Sequence, residues 1–148
     1  MHFNLVDRVI ERHGEPGEAG SRIVTLKQVT AAEEYLGDHF PGFPVLPGVM
    51  MVEAMVQAGR ELLSPLGDSR LVLGGLRAVK YGRFVRPGES LRVEVALQKR
   101  LDGGAFELKG EAFVTGAGPT DAAAVSGRFV LRPVRLGPVD TGSPVQGE

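Results

Sequence analysis

Cysteine is missing from all 148 residues of the chain. That removes disulfides, thiolate nucleophiles and sulfur-ligated metals together, and it is compatible with a reducing compartment without requiring one. Charge of one sign is missing too. The chain carries 17 basic and 18 acidic residues, so no overall field gathers a nucleic acid. Long apolar runs are scarce: the longest uncharged stretch through the most distinctive motif, from Phe40 to Val52, is too short and too proline-rich to cross a bilayer. The N-terminus, MHFNLVDRVIER, meets charge at Asp7 and Arg8 before a signal-peptide core forms. The expectation is a soluble, cytoplasmic protein that neither enters a membrane nor binds nucleic acid. Histidine is sparse, at positions 2, 13 and 39. His2 lies by the terminus and His13 precedes Gly14 in an expected turn, so imidazole chemistry would rest on His39.

The length fits one domain with a real core, expected over residues 1–136. From Gly137 the sequence GPVDTGSPVQGE has no apolar period and reads as a disordered tail. Leu5 to Ile10 is too short to separate a strand from a helical turn. Arg22 to Val29 alternates as a strand does, and Thr30 with Glu33 is spaced as a capping box for a short helix. Asp38 to Pro47 holds three prolines and Gly42 and is a loop. Gly48 opens a helical stretch, VMMVEAMVQAGRELL, which Ser64, Pro65 and Gly67 close. Strands are expected at 71–73, 76–84, 91–101, 105–114 and 122–131. The clearest is Leu91 to Val95, with one face dry and one wet, and Gly103–Gly104 reads as the hairpin turn that follows. One central helix before a run of antiparallel strands makes an α+β domain.

The most specific feature is HFPGFPVLPGVMMVEAMVQ, residues 39–57. His39 heads the loop, and Glu53 follows inside an otherwise apolar helix. Glu53, Gln57, Arg60 and Glu61 share one helical face. Such a stripe is ordinarily the solvated side of an amphipathic helix. Yet Val49, Met50, Val52, Ala54 and Val56 crowd Glu53, and surroundings poor in water would raise its pKa toward the range of a general acid. At the helix entry, Gly48 and Val49 carry unpaired N–H groups that, with the helix dipole, suit a developing oxyanion. The same feature also reads as a plain Pro-Gly entry, and a lone loop histidine is often structural. His39 with Asp38 does not make a metal ligand set.

Taken whole, the motif resembles the signature of the β-hydroxyacyl-acyl-carrier-protein dehydratases of the FabZ/FabA type. LVDRV looks like that family's opening strand, and FVRPGESLRVEV resembles its later Pro-Gly turn and strand. The similarity runs from about Phe3 to Leu131. It implies a hotdog fold, an antiparallel β-sheet wrapped around one long central helix. It implies a homodimer, or a trimer of such dimers, with the acyl chain in a tunnel at the subunit interface. His39 would remove the α-proton, and Glu53 of the other subunit would help the β-hydroxyl leave. The amides of Gly48 and Val49 would hold the thioester carbonyl. Gln57 would orient the site, and Phe40 and Pro41 would contact substrate. No metal or organic cofactor is required.

The chain departs from the family in starting almost at LVDRV, without a Leu-Pro-His-Arg-like lead, and in carrying Arg60 and Glu61 where small or apolar residues are usual. The implied partner is an acyl carrier protein bearing a 3-hydroxyacyl chain. Arg77, Lys80, Arg83 and Arg86 form a strip without an acid that would suit an acidic carrier, or would simply guard a strand edge. Tyr81 and Phe84 would line or gate the tunnel. A hotdog thioesterase and a non-catalytic acyl-binding subunit are the alternatives.

Overall fold

The computed structural model describes residues 3–30, 45–67, 70–115 and 122–134. The expected helix after Thr30, most of the proline-rich loop with His39, Phe40 and Pro41, and the tail from Gly137 lie outside the described residues, as does His2. Strand β1 covers Arg8–His13 and β2 covers Arg22–Gln28. Helix α1 runs Gly48–Leu63. Then follow β3 at Leu71–Tyr81, β4 at Ser90–Arg100, β5 at Phe106–Thr115 and β6 at Ala122–Pro133. The six strands form one antiparallel sheet in the order β1-β2-β4-β5-β6-β3.

Alternation sets the faces. In β4, Leu91, Val93, Val95 and Leu97 are buried and their neighbours are partly open, as a pleated strand with one dry face requires. Leu108, Ala112 and Val114 of β5, and Val125, Phe129 and Leu131 of β6, continue the dry face. Helix α1 lies across it, burying Met51, Val52, Ala54, Met55, Val56, Ala58, Leu62 and Leu63. Gly59 does not interrupt the helix. It lets the helix come close to the sheet, since a Cβ there would sit 3.2 Å from both Leu131 Cδ1 and Phe129 Cε2.

Two expectations need correcting. The segment around LVDRV is a strand only from Arg8, which runs to His13, just before Gly14 turns the chain at φ 83°. Residues 71–84 hold one strand, not two, ending at Tyr81, with register shifts between Leu73 and Gly75 and between Arg77 and Lys80. Ala78 adopts φ 56° inside the second irregularity, which bends the edge. The hairpin after β4 is a single tight turn at Asp102–Gly104, and both Gly103 and Gly104 take the positive φ that the turn needs.

The sheet has unequal edges. β3, the outer strand beyond β6, leaves Leu73, Leu76 and Tyr81 exposed at 39, 43 and 56%. An edge of that length and apolarity is a template for pairing with another chain.

Candidate active site

Helix α1 begins where the proline loop ends. Pro47 is extended (φ −60°, ψ 144°) and gives the helix no side-chain cap. Its carbonyl accepts from the N–H of Met50 at 2.9 Å and of Met51 at 3.2 Å, so the amides of Gly48 and Val49 stand ahead of the first helical bonds. Tyr81 packs against this point: a Cβ on Gly48 would lie 2.9 Å from Tyr81 Cε1. Leu46, Gly48, Met51, Tyr81, Gly82, Arg83 and Phe84 enclose a mostly apolar cavity of about 310 Å³. The end of β3 and the start of α1, at Tyr81 and Gly48, thus share one pocket although they lie far apart in the sequence. Val49 is 73% exposed at its rim, outside the lining.

The polar face of α1 is partly open to water and also internally hydrogen-bonded. Gln57 Nε2 donates to Glu53 Oε2 at 3.0 Å and to the Phe3 carbonyl at 2.8 Å, while its Oε1 accepts from the Leu5 amide at 2.8 Å. The side-chain amide is thereby fixed in one orientation. Arg60 Nη1 lies 3.6 Å from the same Glu53 oxygen, and Arg60 Nε donates to the Leu71 carbonyl at 2.8 Å. Glu61 points elsewhere, pairing with Arg12 of β1 at 3.2 Å.

The expectation that Glu53 stands in surroundings poor in water does not hold for the single chain. Its side chain is 40% exposed. The reason is directional: Val52, Ala54 and Val56 turn into the core, while Val49 points outward, so their apolar atoms do not cover the carboxylate.

The basic strip is also less free than its sequence suggested. Arg77 pairs with Glu107 of β5 at 2.7 Å, and Arg83 pairs with Glu89 at 2.8 Å. Glu89 also accepts from the Arg86 amide at 2.9 Å. The neutralising acids come from outside residues 77–86, where a linear reading does not find them. Lys80 is exposed on the edge strand. Arg83 lines the pocket as well, a role that charge alone did not signal.

Two comparisons of overall structure bear on the class. An (R)-hydratase from A. caviae superimposes with a TM-score of 0.60 at 19% identity, covering 79% of this chain and 97% of its own. The dehydratase heterocomplex ApeI:P from Xenorhabdus doucetiae gives a TM-score of 0.58 at 18% identity, covering 84% and 96%. With the six-stranded sheet and its single long helix, these likenesses define a hotdog-fold protein.

Sequence carries the assignment further. Residues 15–117 match the ApeI-like family, described as ApeI dehydratase. A 3-hydroxyacyl-[acyl-carrier-protein] dehydratase FabZ from Desulforamulus reducens is 43% identical over 66% of this chain and 67% of its own. One from Pelotomaculum thermopropionicum is 40% identical over 76% and 78%. The chain belongs to this FabZ-type family of hotdog dehydratases. Among the described residues no helix is long and apolar enough to cross a membrane.

Proposed function

We propose that this protein dehydrates 3-hydroxyacyl thioesters carried on an acyl carrier protein, giving the trans-2-enoyl thioester and water. The observation that carries the reading is the 40–43% identity to FabZ dehydratases. It is supported by a mostly apolar pocket lined in part by Gly48 and, further along α1, by a carboxylate that Gln57 holds. His39 takes the α-proton, and the electrons pass toward the thioester oxygen, which the Gly48 and Val49 amides stabilise as it gains charge. The β-carbon–oxygen bond then breaks, and Glu53 supplies the proton that turns a poor leaving group into water. The cycle closes when the proton on His39 returns to Glu53 through solvent.

Gln57 holds Glu53 while its own bonds to Phe3 and Leu5 bring the N-terminal segment over the helix. Phe40 and Pro41 stand beside His39 in the sequence, where they contact the acyl thioester. Tyr81 and Phe84 line its channel. Lys80, with Arg77, Arg83 and Arg86, faces the acidic carrier.

The working unit is a homodimer. The exposed apolar edge of β3 pairs with the same edge of a second copy about a twofold axis, and each site combines His39 of one chain with Glu53 of the other.

The test supplies 3-hydroxyacyl and enoyl carrier-protein thioesters and follows enoyl absorbance and free thiol. Reversible dehydration, lost in His39→Ala and in Glu53→Gln, is the expected result. Thiol release would assign a thioesterase instead, and tight acyl binding without turnover a non-catalytic subunit.

A further inference from the structure

We infer that Arg60 is a positioning residue for the reaction: it assigns the two oxygens of Glu53 to different tasks. Both protein contacts to this carboxylate among the described residues, from Gln57 Nε2 at 3.0 Å and Arg60 Nη1 at 3.6 Å, converge on Oε2. That leaves Oε1 as the oxygen that exchanges a proton with substrate. A carboxyl group whose Oε2 is held as an acceptor carries its transferable proton on Oε1, in one orientation instead of two.

Arg60 suits this task because its own guanidinium is restrained. Nε donates to the Leu71 carbonyl at 2.8 Å, so the fork has one arm on the first residue of β3 and another toward Glu53. A planar guanidinium makes both contacts at once, and a lysine ammonium at the end of a flexible stem does not reproduce that geometry. The three groups lie at i, i+4 and i+7 along α1. Gln57 and Arg60 both approach Oε2, whereas Gln57 alone would leave the carboxylate freer to turn about its last torsion. The pair is partly open to water, both side chains being 40% exposed in the single chain, so its value lies in orientation more than in Coulomb attraction.

This inference rests on Glu53 being the proton donor of the proposed dehydration. It is tested by steady-state kinetics on wild type, Arg60→Ala, Arg60→Lys and Glu53→Gln, with melting temperature and solution mass measured for each. Arg60→Ala is expected to lower kcat about 10- to 100-fold with KM little changed, the scale of loss that misplacing a reacting group produces. Arg60→Lys, which keeps the charge, recovers only part of the rate.

An unchanged kcat in Arg60→Ala overturns the inference. So does a loss of rate matched by a fall in melting temperature, which would mean that Arg60 acts only through its hold on Leu71. Should Arg60→Ala fold poorly, the judgement falls to Arg60→Lys, whose wild-type rate would equally overturn it. A wild-type protein that forms no enoyl product, or a Glu53→Gln protein at full rate, instead overturns the dehydratase reading itself.

Discussion

Glu53, Gln57 and Arg60 illustrate how little a residue's chemistry depends on its type alone. A glutamate on a helix stripe is ordinarily solvent decoration, but here one oxygen is engaged by two groups that are themselves fixed by backbone carbonyls and an amide. A second carboxylate is shaped by its neighbours at the far edge of the sheet. Glu11 is held below its ordinary value, first by its hydrogen bond to His13, against an opposing effect of desolvation, and with further help from the charges of His13, Arg22 and Arg92. A depressed carboxyl contributes stability above its unfolded pKa and loses it as pH falls through the folded value. Carboxyl NMR titration should place the Glu11 midpoint below that of an ordinary glutamate, and His13→Ala should move it upward. An identical midpoint in that variant would assign the depression to the arginines instead.

Among the elements, α1 and the end of β3 matter most. The helix is held by its apolar face on β2, β4, β5 and β6, and Phe129 is the largest fully buried side chain beneath it. Phe129→Ala should cost about 3–5 kcal/mol in chemical unfolding; a loss under half of that would mean the helix and sheet collapse into the space. Gly82 is a different kind of constraint. Its amide donates to the Ala124 carbonyl at 2.8 Å, and an added Cβ would run into the carbonyl oxygen of Ala123. Backbone must move to admit it, so Gly82→Ala should destabilise by about 1–3 kcal/mol and shift Tyr81 and Phe84 relative to Gly48. Intact stability with unchanged turnover would show that this end of the strand gives way freely.

For the whole molecule, the decisive question is whether one chain holds a complete site. Leu76→Glu on the exposed face of β3 should reduce the solution mass from twice 15.8 kDa to a single chain and abolish turnover, although no proposed site residue is changed. Mixing offers a sharper reading. His39→Ala and Glu53→Gln proteins, each inactive, should regain about a quarter of the wild-type rate after subunit exchange, since half the dimers are mixed and each mixed dimer has one intact site of two. No recovery, with exchange shown by mass, would place both groups in the same chain.

Much of the architecture was legible because it depends on local periodicity. Strict alternation over 91–95 and the apolar helix from Gly48 set which faces must be dry, and burial in a single core left little choice about how they pack. The glycine pair at 103–104 marked a hairpin for the same reason: few other residues adopt its φ. Long motifs also carried the family, since Pro-Gly turns and a single carboxylate at fixed spacing constrain many positions together. What a linear reading missed was every relation between distant segments. One strand through residues 71–81 looked like two because its irregularities interrupt the alternation. The acids that neutralise the basic strip sit at 89 and 107, and the carbonyls and amide that hold Gln57 and Arg60 belong to residues 3, 5 and 71. By itself, then, the sequence determined the helix, most of the strands and the family. Only the tertiary structure decided which oxygen of Glu53 is held, what meets Gly48, and which strands lie at the edges of the sheet, because these are set by close approach between groups that periodicity does not bring together.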